Sequence, residues 1–373
     1  MEDNILSIDN KIIPPKELEI INQVPLKQPK ENHKFKSYSL LDLANAPEVD
    51  VEWLIPDILP SVGLAQISGT QKSGKSFFSL ELGLSIATGS DFLNRKIEQG
   101  NVLYLDCEGS FNRLNRRMKA QMEGLGIPKT DDLQNFTAVF GKDCLTNVDG
   151  GMEAIEQWRK SVPNPKLVII DTLSRWTIKG KGNNPVDVDT RTFAPIQEYA
   201  MENGILILYI HHTRKGDGEG EDYQDKSSGT RGLSAVADCN IILSKVRGED
   251  RARLRGDGRD VEGFDFALKS EGIPHRGFWW KLEGEYEKVQ INVSFEKILD
   301  GAESLEVELQ LTQSRYGWLP KELIAEMNIP KEKVNAQYEY LRRMIKEGLL
   351  KQENKYYSIA CPKYDRKEDT PLI

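Results

Sequence analysis

Cysteine is scarce in this sequence: four in 373 residues (Cys107, Cys144, Cys239 and Cys361), with no two spaced as CxxC. A disulfide-stapled scaffold and a zinc ribbon are thereby excluded, and a reducing compartment is expected. Long hydrophobic runs are missing too. The longest, Leu167–Ile170 and Ile205–Ile210, fall far short of the roughly 18 residues of a membrane span. The first residues, Met1-Glu2-Asp3-Asn4, are acidic where a secretory signal is basic, so a cytoplasmic location is expected and no membrane partner. Nor is positive charge in surplus. Fifty Lys and Arg stand against 58 Asp and Glu, a net charge of −8, which excludes a blanket polyanion binder and confines any nucleic-acid contact to local patches. What remains, 39% hydrophobic and 29% charged residues, is the composition of a globular chain with room for one large domain and a small one.

The pattern along the chain predicts three parts. Residues 1–37 lack periodicity, carry Pro14, Pro15, Pro25 and Pro29, and read as a flexible arm. Residues 38–298 read as an α/β core. Apolar runs such as Gly63–Ser68, Asn101–Leu105, Leu167–Ile170, Ile205–Ile210 and Cys239–Ser244 alternate with helical patterns, including Lys75–Thr88 with Phe78, Leu82 and Ile86 on one face. That alternation predicts a mostly parallel twisted sheet with helices on both faces. Its last stretch, 252–295, reads as an extension of antiparallel hairpins turning at Gly256-Asp257-Gly258 and Gly284-Glu285. Residues 303–373 predict a small winged helix-turn-helix domain. A short helix at Pro320–Met327 is followed by a longer one with Val334, Tyr338, Leu341 and Ile345 on one face, then a strand-like Lys355–Ile359.

Gly69-Thr70-Gln71-Lys72-Ser73-Gly74-Lys75-Ser76 is a complete GxxxxGK[ST] P-loop between a predicted strand and a predicted helix, with Phe77 directly after it. Its glycines let successive backbone N–H groups curl around a β-phosphate at the positive end of the helix. Lys75 is expected to face solvent and bridge the β- and γ-phosphates of ATP, and Ser76 to ligate Mg²⁺. The strand Lys166–Asp171 ends in a carboxylate placed to hold the Mg²⁺ water shell. The strand from Asn101 ends in Asp106-Cys107-Glu108. There Glu108 is placed to polarise an attacking water, with Asp106 as competitor. His211 and His212 close another core strand. Neighbours on a strand face opposite ways, which argues against a shared zinc ion and for one of them sensing the γ-phosphate. Two polar loops, 174–187 and 214–232, carry Arg175, Lys179, Lys181, Arg214, Lys215 and Lys226, a set suited to a phosphate backbone.

Taken in order, Trp53-Leu54-Ile55-Pro56, the P-loop, Leu103-Tyr104-Leu105-Asp106-Cys107-Glu108, Ile169-Ile170-Asp171, His211-His212-Thr213-Arg214-Lys215 and Ser228-Gly229-Thr230-Arg231-Gly232 resemble the RecA-like ATPases of the RepA type. These are the hexameric replicative helicases of plasmids, phages and other mobile elements, and the resemblance covers about residues 38–270. It implies a homohexameric ring with ATP between subunits and single-stranded DNA in the channel, against loops 174–187 and 214–232. It also implies Lys75 and Ser76 on nucleotide and metal, Glu108 as base, Asp171 at Mg²⁺, and His212, with His211 next in line, as sensor. Members of that family carry an arginine finger shortly after the Gly-Ser-rich segment. Ile241 stands there in this chain, which leaves Arg231 upstream, or Lys245 and Arg247 downstream, to reach a neighbour's γ-phosphate. The winged helix lies outside the resemblance and would meet duplex DNA or a replication protein. Three readings follow: a DNA helicase with P-loop ATPase activity, an ATP-switched initiator or regulator that unwinds nothing, and a RecA-type recombination ATPase.

Overall fold

The computed structural model describes residues 37–48, 50–178, 185–212, 231–245, 248–313, 317–327 and 334–360. The expected arm before Ser37, much of the two polar loops (179–184 and 213–230) and Arg247 lie outside the described residues. The chain divides at Asp50 into two units. The first contains α1 (Leu40–Asn45), opened by a capping box in which the Asp42 side chain accepts from the Ser39 N–H at 2.8 Å.

The second unit begins with β1 (Trp53–Ile55), β2 (Leu59–Pro60), β3 (Gly63–Gly69) and α2 (Lys75–Thr88). It continues through β4 (Asn101–Asp106), α3 (Phe111–Leu125), β5 (Phe136–Phe140), α4 (Gly151–Ser161) and β6 (Pro165–Asp171). Next come α5 (Leu173–Trp176), α6 (Pro185–Glu202), β7 (Leu206–His212), α7 (Arg231–Val236) and β8 (Cys239–Lys245). Strands β9 (Arg251–Gly258), β10 (Phe264–Ile273) and β11 (Gly277–Glu285) follow. The chain then forms α8 (Tyr286–Gln313), α9 (Pro320–Glu326), α10 (Val334–Lys346), β12 (Leu350–Glu353) and β13 (Tyr356–Ile359).

Among the described residues nine strands make one sheet in the order β11-β10-β9-β8-β3-β7-β6-β4-β5. From β8 to β5 every pairing is parallel, and from β8 to β11 every pairing is antiparallel. The alternating side chains of the central strands sort into two cores. Ala65, Ile67, Val102, Tyr104, Leu167, Ile169, Leu206 and Leu208 pack with Phe78, Leu82 and Ile86 of α2. Leu64, Leu103, Leu105, Val168, Ile170, Ile207 and Tyr209 pack with Ile155 of α4 and with Phe193 and Ile196 of α6. Burial on both faces is why these strands read as unbroken apolar runs.

The antiparallel extension differs in its turns from the sequence expectation. Gly256-Asp257-Gly258 lies inside β9, and the first turn follows it. A Cβ on Gly256 would come within 2.4 Å of the Phe264 ring, so this glycine serves a close cross-strand approach rather than a turn. The second turn is at residues 274–276, where His275 has φ 61°. Gly284 and Glu285 are the last two residues of β11, and the stretch expected as hairpin up to residue 295 is helix from Tyr286. Helix α8 supplies Phe295, Ile298, Ala302, Leu305 and Leu309 to a third core with Trp318, Leu323, Leu341, Met344 and Leu350. On α10 the most buried positions are Leu341 and Met344, one residue round from the expected Leu341 and Ile345 stripe, because Met344 faces this core directly. β12 and β13 form an antiparallel hairpin turning at Asn354, φ 58°.

Candidate functional site

Parallel strands bring their C-terminal ends to one edge of a sheet. Here the register places Gly69 beside His212 on β3 and β7, and Asp106 beside Asp171 on β4 and β6. Four adjacent strands therefore deliver four of the expected site segments to one crevice.

The P-loop joins β3 to α2. Gly74, the N-cap of α2, has φ 100° and offers no side-chain cap. The first-turn N–H groups of a helix have no partner within it, so this end of α2 suits an anion. No larger residue replaces Gly74 easily, since a Cβ there would come within 2.5 Å of the Trp280 indole. Lys75 departs from its expected solvent-facing position. It is 3% exposed, and its ammonium donates to the carbonyls of Gly69 and Thr70, both at 2.8 Å, and to Ser73 Oγ at 3.3 Å. A buried cation recruits every acceptor in reach, and the loop's own carbonyls are the nearest. Burial pushes Lys75 down to about 8, with the Asp171 carboxylate pulling it upward. Ser76 and Phe77, in the first turn of α2, are half-buried, while Gln71 and Lys72 are exposed.

Asp171 is buried and accepts from the Tyr104 hydroxyl at 2.9 Å. Asp106 is buried as well. Burial and the charge of Asp171 raise its pKa, while Arg113, 3.4 Å away, lowers it. Glu108 is half-exposed; it accepts from the Thr172 hydroxyl at 3.0 Å and lies 3.5 Å from Arg175 Nε. Of the two acidic candidates after β4, Glu108 is therefore the accessible one and Asp106 the confined one. A Cβ on Gly109 would lie 1.6 Å from Asp106 Oδ2, so a side chain there would displace the Asp106 carboxylate.

His212 is partly buried, and its Nδ1 has no hydrogen-bond partner among the described residues. Burial and the nearby Lys75 charge lower its pKa, against the pull of Asp171 and Glu108. His212 thus lies within electrostatic reach of Lys75, Asp171 and Glu108, and its neutral form is favoured. His211 pairs with Ser68 one step back in the register. No group of three or more His, Cys, Asp or Glu suited to a metal is present among the described residues. Arg231 opens α7, but its side chain and Arg247 lie outside the described part. Lys245 is engaged within its own chain: its ammonium lies 5.1 Å from the Phe278 and Trp280 ring centroids and donates to Ser270 Oγ at 3.0 Å.

Several site residues escaped the sequence reading. Tyr104, Thr172 and Arg113 touch the carboxylates directly, and Arg117 lies over the Phe77 ring at 4.7 Å. The available signals were the polar tip of Tyr104 in an apolar run and the i,i+4 arginines of α3. Strand β11 was the larger omission. Phe278 stacks on Phe77 at 4.0 Å, and the Trp280 N–H donates to Glu81 of α2 at 2.8 Å.

Comparison with known proteins gives one family match: a model described as an AAA domain matches residues 29–218, about half of the chain. No curated protein matches the sequence. Among solved structures, one described as an ATPase domain is 14% identical with a TM-score of 0.46, over 60% of this chain and 86% of that one. A DnaB-like replicative helicase, described with its interactions with primase, is 12% identical with a TM-score of 0.45, over 61% of this chain and 59% of that one. The RadB recombinase is 18% identical with a TM-score of 0.39, over 61% of this chain and 91% of that one.

Proposed function

Since this chain belongs to the AAA domain family and carries a P-loop ATPase core, we propose that it is an ATP-hydrolysing ring motor on single-stranded DNA, a replicative helicase of a plasmid, phage or integrated mobile element. The observation that carries the reading is the convergence of Lys75, Asp171, Glu108 and His212 at the ends of four adjacent strands. Gly69 to Phe77 would bind ATP, with Lys75 exchanging the loop carbonyls for phosphate oxygens. Ser76 and Asp171 are hard oxygen donors of the kind Mg²⁺ takes, and when bound the ion offsets phosphate charge. Glu108, oriented by Thr172 and Arg175, would take the proton of the attacking water as it displaces the leaving ADP in line. His212 would read whether the γ-phosphate is present, and Arg231 or Arg247 would complete the site from a neighbouring subunit. Loops 174–187 and 214–232 would follow the DNA backbone.

The test is hydrolysis with and without single-stranded DNA, alongside strand displacement on a fork. DNA-stimulated turnover and displacement are expected. Glu108→Gln should keep ATP binding and lose about 10²–10⁴-fold in rate, and Lys75→Ala should lose turnover while circular dichroism stays native. Near-normal hydrolysis by Lys75→Ala would end the ATPase reading. One observation favours a second reading, an ATP-switched DNA-binding initiator: the last part of the chain has a core of its own. ATP-dependent duplex binding without displacement would select it.

A further inference from the structure

Two thiols beside the site have no part in the chemistry above. Cys107 lies between Asp106 and Glu108, just past β4, and Cys144 follows β5. Those strands pair in parallel with Leu105 opposite Val139. The Cys107 sulfur is 3.7 Å from the Leu105 carbonyl oxygen, and the Cys144 thiol donates to the Val139 carbonyl at 3.4 Å. Both sulfurs therefore hang beside directly paired residues. They pack into the same core. Both are free thiols, Cys144 buried and Cys107 half-buried. Cys239, by contrast, is buried in the opposite core and donates to the Ile58 carbonyl.

We propose that Cys107 and Cys144 are an oxidisable pair that a peroxide closes into a disulfide, and that closure stops hydrolysis by displacing Glu108. The sulfur of Cys107, the less buried of the two, attacks one peroxide oxygen and the O–O bond breaks. Cys107 becomes a sulfenic acid, and the departing hydroxide takes the thiol proton and leaves as water. The Cys144 sulfur then attacks the Cys107 sulfur, the S–O bond breaks, and that hydroxide leaves as a second water with the Cys144 proton. Two electrons pass from the sulfurs to the peroxide, and a thiol returns the pair to its reduced form by exchange.

The consequence follows from what holds Cys107. Its backbone N–H donates to the Asp171 carbonyl at 2.7 Å, and the next residue, Glu108, is oriented by Thr172 Oγ1. A disulfide brings sulfurs to about 2.05 Å, closer than two unbonded thiols approach, so closure draws the Cys107 backbone toward β5. Glu108 is carried away from Thr172.

The activity arm rests on the role proposed for Glu108; the covalent arm does not. Full-length protein is treated with hydrogen peroxide, capped with an alkylating agent, digested and mapped by mass spectrometry, with hydrolysis measured on the same sample. The expected result is a peptide linking Cys107 to Cys144 and at least a tenfold loss of turnover, with dithiothreitol abolishing the link and restoring turnover. Cys144→Ser should hydrolyse ATP normally and keep its activity in peroxide. Reduced wild-type protein without hydrolysis would defeat the ATPase reading while leaving the peptide map to decide the pair. Wild-type protein that gives no 107–144 peptide, or only sulfinic acid at Cys107, would overturn the proposal. A quantitative crosslink with unchanged turnover would overturn the link to Glu108.

Discussion

Two charged side chains on α2 are buried within a few residues of each other, for different reasons. Lys75 is held by P-loop carbonyls, a set of acceptors that a phosphate can replace. Glu81, 2% exposed, accepts only the Trp280 N–H among the hydrogen bonds described for it, and burial pushes it up to about 8 from an ordinary 4.5. The folded protein therefore binds a proton that the unfolded chain has released across that interval. Glu81 favours the fold below about pH 4.5, and this contribution drains away as pH rises through about 8. Lys75, lowered from 10.5 to about 8, acts in the opposite sense and only above about pH 8. Between pH 5.5 and 8 the two are separable. Glu81→Gln keeps an acceptor for Trp280 and cannot ionise, so its stability should stay flatter than wild type in that window. Each pKa unit is worth about 1.4 kcal/mol, so urea unfolding at several pH values should resolve a gap that widens toward pH 8. Parallel curves would mean that Glu81 does not titrate there.

At the scale of elements, β11 packs against α2 through Phe278 and Trp280. Gln121 of α3 donates to the carbonyls of Phe77 and Phe278 at 2.8 and 3.0 Å, tying α2, α3 and β11 together. Helix α10 does a different job. It buries Leu341 and Met344 and leaves Arg342, Arg343 and Lys346 exposed. Lys351 lies on β12 and Lys355 just before β13. If this group meets a duplex, three to five phosphate contacts give weak, strongly salt-dependent binding. The double substitution Arg342→Glu/Arg343→Glu in the full chain should abolish duplex binding at low salt and leave ATP hydrolysis as it was. Arg342 already pairs with Glu339, an exposed contact of small worth, so stability should change by less than about 1 kcal/mol. Duplex binding that survives the double variant would place the DNA contact elsewhere, and a wild-type chain that binds no duplex at low salt would assign α10 to protein contacts.

The whole-molecule question is whether one chain completes its own site. Among the basic candidates for a finger, Lys245 is occupied by Phe278, Trp280 and Ser270 of its own chain, which leaves Arg231 and Arg247. A trans arginine is worth roughly 10³–10⁵ in rate. Arg231→Ala and Lys75→Ala subunits should each be inactive alone and regain part of the activity when mixed, because one interface then holds an intact lysine and an intact arginine. Titrating one variant into the other and following phosphate release checks this. Mixtures inactive at every ratio would argue for a site complete within one chain.

Sequence alone was enough for the parallel half of the sheet and for the residues at its edge. A strand buried on both faces must be apolar along its length, and a phosphate loop must be glycine-rich, so β3, β6, β7 and Lys75 announce themselves locally. The tertiary structure decided what depends on distant neighbours. Residues 289–295, Val-Gln-Ile-Asn-Val-Ser-Phe, alternate apolar and polar as a strand would, yet they are helix in α8, where Phe295, Ile298, Ala302, Leu305 and Leu309 share a core with α10. Gly256 resembles a turn glycine but is required by the Phe264 ring on the next strand. The Tyr104 contact to Asp171, the Thr172 contact to Glu108, and the meeting of Cys107 with Cys144 in one core each join residues with no shared period. Only the pairing of β4 with β5 and β6 brings such residues together, because contact across a sheet depends on strand order, which no local pattern encodes.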